Sequence, residues 1–509
     1  MNKKTIAAIK RHRTRQLAAL IAKAAYYYKK KQYDRMANMI CNQFVDLGGV
    51  YIKFLQGVLL RSEVMKRWDS PDRLKIFENL DHEPLDIAEF LQKELPKDKL
   101  AQIALVQPQP FAAGSFGQVY YATLKDGSNV VLKVLRPMIG ELLQYDLKLL
   151  TTFYRRFFVK LYKNVDMDLS KVVDDFKVAT LRETDYDHEA KFANELYEAY
   201  KGHHKLFIPK TYLDLCTDNL IVQEYVDGLS VAKLIKLKYQ GVDPKQYVKE
   251  TLGSDLDEQL IMLSYESMMG VFKLPRVMGD PHPGNIRLMR DNRVGIIDFG
   301  ISATTPKDKS AYFGLIEAYD KIHSGSMDVA GMFERAMHFF VGDLYQALNR
   351  IGQFVGEKTL KDVTKIAGEA FEQVVGTNMV IDDPRSDVGI LTMINKAVNK
   401  GNRFGLVMKF ENSEILRATQ TFSALIHSLG RSRQVNPRAV SWVVHDVSTM
   451  HPEFLASHED QTSLGDAIET VINWLERVAH RDPALFQKLA NKVRSGTEPV
   501  VKSNGESNA

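Results

Sequence analysis

Three residues have the types and spacing of a phosphoryl-transfer site. Asp280 and Asn285 stand in Gly-Asp-Pro-His-Pro-Gly-Asn (279–285), and Asp298 opens Asp-Phe-Gly (298–300). The chemistry needs one carboxylate to accept the proton of the attacking hydroxyl. It also needs an Asn and a second carboxylate to hold the Mg²⁺ that bridges the phosphates. A turn with a helix cap would explain the Asp-Asn pair by itself. It does not explain why the apolar run Val294 to Ile297 delivers Asp298 directly before Phe-Gly.

Such a site needs elements that bring phosphates to it. Phe111-Ala112-Ala113-Gly114-Ser115-Phe116-Gly117 reads as a small-residue loop between two strands, where backbone N–H groups can approach a phosphate. A tight hairpin would look the same. The alternating run Gln118 to Leu124, the turn Asp126-Gly127 and the run Val130 to Leu135 predict a β-hairpin. Lys133 sits on its second strand between apolar neighbours, and a lysine there needs a carboxylate or an anionic ligand. The carboxylate is expected from a helix over 168–201, which carries Glu183, Asp185, Asp187, Glu189 and Glu195. On one continuous helix Glu183 and Glu189 would point about 120° apart and serve different partners. The strand 221–226, stopped by Asp227-Gly228, reads as a hinge whose backbone from Glu224 to Val226 would meet an adenine edge.

The rest of the chain sets bounds. With 509 residues it can hold two or three lobes. Its net charge of +5 is modest for that length and gives no argument for nucleic acid. Cys41 and Cys216 form neither a disulfide framework nor a zinc spacing, which predicts a reducing compartment. Residues 1–33 carry ten Lys or Arg and no Asp or Glu. They read as an amphipathic helix on an anionic membrane surface, or as a basic helix packed on the protein. Leu47 to Leu60 is too apolar to stay uncovered. No apolar run reaches the roughly 20 residues of a spanning helix. The expectation is therefore a cytoplasmic protein without a transmembrane segment, touching a membrane at most peripherally. The last fifteen residues have the composition of a disordered tail.

Taken in order, these elements resemble the UbiB (AarF-type) atypical kinase-like family over roughly residues 40 to 330. The resemblance rests on the alanine-containing loop, Lys133, Glu183-Thr184-Asp185 with Glu189 beyond it, the 279–285 loop and Asp298-Phe299-Gly300. Lys53-Phe54-Leu55-Gln56 stands where the family has Lys-x-Gly-Gln, with Leu55 in place of the glycine. The resemblance implies that Lys133 pairs with Glu189 and touches the ATP phosphates. It makes Asp280 the catalytic aspartate and Asn285 and Asp298 the Mg ligands. Lys53 and Gln56 would belong to an extension folded over the site, with Glu183 and Asp185 facing it. Nucleotide contacts fall to residues 112–117, Val119, Val131, Lys133, Glu224 and Val226. Gly114 replaces the family's third alanine, and Met278 the histidine before the catalytic loop. From Ile301 to Ser310 the chain is too short for a long activation loop, so a platform for a peptide substrate is not expected.

The sequence thus predicts an α+β, two-lobed protein-kinase-like fold. Residues 1–100 would be a helical extension, 101–228 the first lobe, 229–450 a helical second lobe and 451–509 a helix with a tail. The expected function is ATP- and Mg-dependent phosphotransfer or ATP hydrolysis serving isoprenoid-quinone or other lipid metabolism, with a lipid or isoprenoid small molecule as partner. Two alternatives stand beside it. A phosphotransferase of the aminoglycoside or choline kinase type shares the 279–285 loop, and a non-catalytic nucleotide-binding scaffold at a membrane would keep the fold.

Overall fold

The computed structural model describes residues 3–57, 84–114, 116–136, 139–161, 176–178, 180–307, 309–326, 410–455 and 463–481, with scattered helical positions besides. Ser115 and the stretch from Leu59 to Phe77 lie outside them. The chain divides into two compact units, Met1–Gly228 with Gly295–Ile301, and Leu229–Val294 with Ser302–Ala509. The N-terminal helices therefore share a unit with the first sheet, and the short Asp-Phe-Gly segment joins them.

The first unit begins with α1 (Lys3–Lys29), α2 (Tyr33–Leu47) and α3 (Val50–Gly57), followed by α4 (Ile87–Glu94). Its antiparallel sheet contains β1 (Ile103–Val106), β2 (Ala112–Ala113), β3 (Gly117–Leu124), β4 (Asn129–Leu135) and β5 (Leu220–Glu224). The strands run β1-β3-β4-β5, with β2 paired to β3. Between β4 and β5 lie α5 (Ile139–Leu161) and α6 (Tyr186–Tyr200).

Period-two alternation gives the sheet two unlike faces. Tyr120, Ala122, Leu124, Val130, Leu132 and Val134 point to one side and bury against Ile87 and Leu91 of α4. Val119, Val131 and Lys133 alternate with them and are only half-buried. The expected hairpin forms at Asp126-Gly127. Gly127 has φ +87°, and Asp126 Oδ1 accepts from the Ser128 N–H at 2.8 Å. That left-handed turn is the conformation a glycine supplies without a steric penalty.

The apolar run from Leu47 is covered inside the unit. Phe44, Tyr51 and Phe54 pack with Phe153 of α5, ring centroids 5.5–6.2 Å apart around Phe44. Leu17, Leu20 and Ala24 of α1 are buried in the same cluster. Arg13 pairs with the buried Asp146 of α5, which also accepts from the Tyr51 hydroxyl at 3.4 Å. Burial lowers the pKa of the Arg13 guanidinium. The apolar stripe of α1, one expected lipid-facing surface, is thus used by protein packing. Its charged face is what remains exposed.

The helix expected over 168–201 is interrupted. Residues 183–185 form a turn, and α6 starts at Tyr186 with Asp185 as its cap, accepting from the His188 N–H at 3.0 Å. An Asp at this position satisfies an orphan donor of the first turn, a preference the run of acidic residues concealed. Glu183 and Glu189 therefore do not share a helix.

The second unit is mostly helical, with α7 (Val231–Tyr239), α8 (Leu256–Lys273), α9 (Lys309–His323), α10 (Phe410–Ser428), α11 (Ser432–Met450) and α12 (Leu464–Arg481). Between α8 and α9 stand β6 (Arg276–Met278) and β7 (Ser302–Thr304), paired antiparallel with Met278 opposite Ser302. Two polar ties join α8 to the start and the C-terminal part of α11. Arg431, just before α11, grips Asp257 through two bonds of 2.6 and 2.5 Å, and the Tyr265 hydroxyl lies 2.5 Å from Asp446. No helix among the described residues is long and apolar enough to cross a membrane.

Candidate active site

In the first unit the half-covered face of the sheet presents Lys133, and α6 brings Glu189 to it. Both carboxylate oxygens of Glu189 accept from the Lys133 ammonium at 2.7 Å. Glu189 is 1% exposed, and its Oε1 also receives the Phe299 N–H at 3.5 Å. Asp298 Oδ2 lies 3.7 Å from the same ammonium, while Oδ1 accepts from the Gly300 N–H at 3.0 Å. Phe299 is fully buried and meets Phe192 of α6 edge-on, centroids 6.4 Å apart. One buried carboxylate thus fixes the strand lysine and the Asp-Phe-Gly backbone together.

Electrostatics follow from burial. Desolvation alone would drive the Lys133 ammonium to lose its proton, but Asp298 and Glu189 outweigh it and raise its pKa. Burial pushes the Glu189 carboxyl up, and Lys133 opposes that. Asp298 keeps 40% of its side chain exposed, so its carboxylate can reach a ligand.

Two residues of this centre escaped the sequence reading. Tyr186 is buried one helical turn before Glu189, and the Lys133 ammonium lies 5.3 Å from its ring centroid. The signal was the i, i+3 spacing from Glu189 once the helix start is known. Arg136, on the residue after β4, donates from Nη2 to the Gly114 carbonyl at 2.7 Å. Its own N–H donates to the Phe116 carbonyl at 2.9 Å. Arg136 therefore pins the small-residue loop, which closes on itself through Gly114 N–H to Gly117 O at 2.9 Å. Ala112 pairs with Val119 and Ala113 with Gln118, so the loop is the end of a β-ribbon.

The other predicted positions are placed as follows. Val131 lies two residues from Lys133 on the same face, and Val119 is opposite Lys133 in the β3–β4 register. The Glu224 amide donates to the Lys210 carbonyl and the Tyr225 amide to the Asn129 carbonyl, both at 2.9 Å, so neither donor is spare for an adenine edge. Val226 is buried. Lys53 forms an ion pair with Glu183, tying α3 to the turn before α6. Asp185 is engaged as the cap of α6. Gln56 is in α3, and its side chain lies outside the described ones. Leu55 is fully buried, so the position where a glycine was expected is occupied by core packing.

The second unit carries Asp280 and Asn285 on the segment that follows β6. The loop is tight: His282 N–H donates to Asp280 O at 2.8 Å, and Asn285 N–H to His282 O at 2.9 Å. His282 Nδ1 accepts from the Gly284 N–H at 3.2 Å. Asn285 Nδ2 donates to the Asp280 carbonyl at 3.3 Å. That bond turns the amide nitrogen into the loop and leaves the amide oxygen as the donor a hard cation prefers. An Asn oxygen and the exposed Asp298 carboxylate are the oxygen ligands Mg²⁺ takes, so both residue types fit that ion. No cluster of three or more His, Cys, Asp or Glu able to hold a metal is found among the described residues.

Known proteins resemble the chain over this same region. Residues 79–323 match the ABC1 atypical kinase-like domain, a span that includes Lys133, Glu189, Asp280, Asn285 and Asp298. The chain is 30% identical over 272 residues to Protein ACTIVITY OF BC1 COMPLEX KINASE 1, chloroplastic, of Arabidopsis thaliana, covering 52% of this chain and 37% of that one. It is 26% identical over 318 residues to the Probable protein kinase UbiB of Aliivibrio fischeri, covering 59% and 54%. The chain thus spans about half the length, or less, of these relatives. A solved complex of Rv3197 with erythromycin from Mycobacterium tuberculosis aligns with a TM-score of 0.46 at 18% identity, over 86% of this chain and 99% of that one. The α+β, kinase-like architecture expected from the sequence is the one observed.

Proposed function

We propose, from the match of residues 79–323 to the ABC1 atypical kinase-like domain, that the chain binds Mg·ATP and transfers its γ-phosphoryl group to a small molecule or to water. The observation that carries this reading is the grip of buried Glu189 on Lys133 and on the Phe299 amide, with Asp298 3.7 Å from the same ammonium. Phosphoryl transfer of the kinase type requires the strand lysine, its helix carboxylate and the Asp of Asp-Phe-Gly in place together.

In this reading Lys133 contacts the ATP phosphates, and Asn285 and Asp298 hold the Mg²⁺, which would neutralise charge on the phosphates. Asp280 accepts the proton of the attacking hydroxyl. The acceptor oxygen bonds to the γ-phosphorus, the bond from that phosphorus to the ADP oxygen breaks, and ADP leaves. The Lys53–Glu183 ion pair supports the family's gating arrangement over the aminoglycoside or choline kinase alternative. The name of the Aliivibrio fischeri relative, Probable protein kinase UbiB, points to protein phosphorylation. The short run from Ile301 to the start of α9 at Lys309 favours a smaller acceptor. In this reading the acceptor belongs to lipid or isoprenoid-quinone metabolism, at a membrane reached peripherally, as the family resemblance suggests.

The test is ADP release by purified protein with Mg²⁺ and ATP, with and without anionic liposomes, beside Asp280→Asn. Turnover that needs Asp280 supports the reading. ATP binding with no turnover under either condition would replace it with the scaffold.

A further inference from the structure

The second unit holds a cavity of about 150 Å³, and the segment carrying Asp280 forms part of its wall. Met278, two residues before Asp280, and Pro281, the next after it, both line the space. The remaining wall comes from α8, α9, α10 and α11, with Val277 of β6 and Phe339, and is mostly apolar; Phe422 and Ala418 of α10 are among its residues. Water in a recess with so apolar a lining finds few hydrogen-bond partners, so an apolar group that replaces it there gains free energy. A cavity of about 150 Å³ with such a lining accepts benzene in another protein.

A second observation points to a ligand. Ser423 lines the cavity, is 7% exposed, and its hydroxyl has no hydrogen-bond partner among the described residues. Other hydroxyls on the same helix satisfy themselves. Thr419, Thr421 and Ser428 each donate to the carbonyl four residues back, at 2.9, 3.0 and 2.8 Å. That local bond is open to any serine in a helix. A buried hydroxyl left without a partner in an apolar wall is unfavourable by itself and becomes favourable once a ligand oxygen meets it.

We propose that this cavity holds the apolar end of the small-molecule acceptor, a ring-sized hydrocarbon group bearing an oxygen that Ser423 meets. Its role as acceptor site rests on the phosphoryl-transfer reading above, because Met278 and Pro281 flank Asp280. Its capacity to bind does not.

The experiment uses the full chain without nucleotide and a pair of probes that differ by one hydroxyl, benzyl alcohol and toluene, titrated by ligand-observed NMR. The wild-type protein binds both saturably. Ala418→Leu fills the void and weakens both at least tenfold, with the melting temperature unchanged or raised. Ser423→Ala, which removes only the hydroxyl, weakens benzyl alcohol roughly three- to tenfold and leaves toluene unchanged. Absence of saturable binding by the wild-type protein would overturn the proposal, as would affinities indifferent to both substitutions. ADP release separates the two readings. Probe binding without any turnover would sink the acceptor role and the phosphoryl-transfer reading while the site stands. Turnover without probe binding would sink the cavity alone.

Discussion

Replacing Lys133 by Met removes the cation that Glu189 is built around. Glu189 is 1% exposed and spends both oxygens on Lys133, so the variant leaves a carboxylate in the interior with only the weak Phe299 N–H bond among those described. Breaking a buried pair by deleting one partner costs about 3–5 kcal/mol. The carboxyl can escape part of this by taking up a proton. Its folded pKa is already raised by burial, and losing Lys133 raises it further. A carboxyl whose folded pKa lies above the unfolded value contributes stability that is full below the unfolded pKa, about 4.3, and lost as pH rises through the folded one. The variant's deficit therefore shrinks as pH falls, by about 1.4 kcal/mol per pH unit in the titrating range. Hydrogen exchange read by mass spectrometry on peptides from β4 and α6 measures this locally. At pH 7.5 the slowest amides should exchange about two to three orders of magnitude faster than in wild type. Lys133→Met with Glu189→Gln removes the stranded charge, keeps an acceptor for Phe299, and should recover most of the loss. A deficit below about 1 kcal/mol, or one that grows at low pH, would refute the claim that Glu189 is a buried charge held by Lys133.

Other outcomes follow from the same geometry. Gly117→Ala would place a Cβ 2.6 Å from the Tyr186 hydroxyl and 3.0 Å from the Val134 carbonyl; it should cost about 1–3 kcal/mol by exchange of the β3 peptide, and Tyr186→Phe should restore part of that. Lys53→Met should speed exchange in α3 by roughly fivefold, equivalent to about 1 kcal/mol, and the swap Lys53→Glu with Glu183→Lys should reverse it. Lys309 Nζ donates to the Val271 carbonyl, and burial pulls its pKa down to about 8. The folded state therefore releases this proton before the unfolded chain, near 10.4, does. Stability of the second unit should rise between about pH 8 and 10.4, a rise that Lys309→Met abolishes when urea unfolding is followed by tryptophan fluorescence.

What could be read in the sequence was a set of candidate residues, because carboxylates, an Asn and a lysine at these spacings suggest one kind of chemistry. Lys133 and Asp298 could each be nominated from local context, since a charged residue between apolar neighbours announces a partner; Glu189 was one of five acidic residues on its segment, and only the family resemblance singled it out. Tyr186 and Arg136 could not. Their roles depend on where α6 begins and how the 112–117 loop folds back, and both are set by tertiary contacts. The acidic run 183–189 read as one helix because it has no glycine or proline; the capping preference of Asp185 decided otherwise. The pattern of α1 was ambiguous by nature, since an apolar stripe under a basic face has the same spacing whether lipid or protein covers it. Leu17, Leu20 and Ala24 are covered by protein. The cavity beside Asp280 has no sequence signature at all, because voids arise from how α8 to α11 meet.

The central claim is that Lys133, Glu189 and Asp298 form a nucleotide–metal site. Calorimetric titration of ATP into wild-type protein and Asp298→Asn, each with and without Mg²⁺, tests it most directly. Wild type should bind ATP at least tenfold tighter with Mg²⁺, and Asp298→Asn should lose that increment. Equal Mg²⁺ dependence in the two proteins, or no ATP binding by wild type, would contradict it.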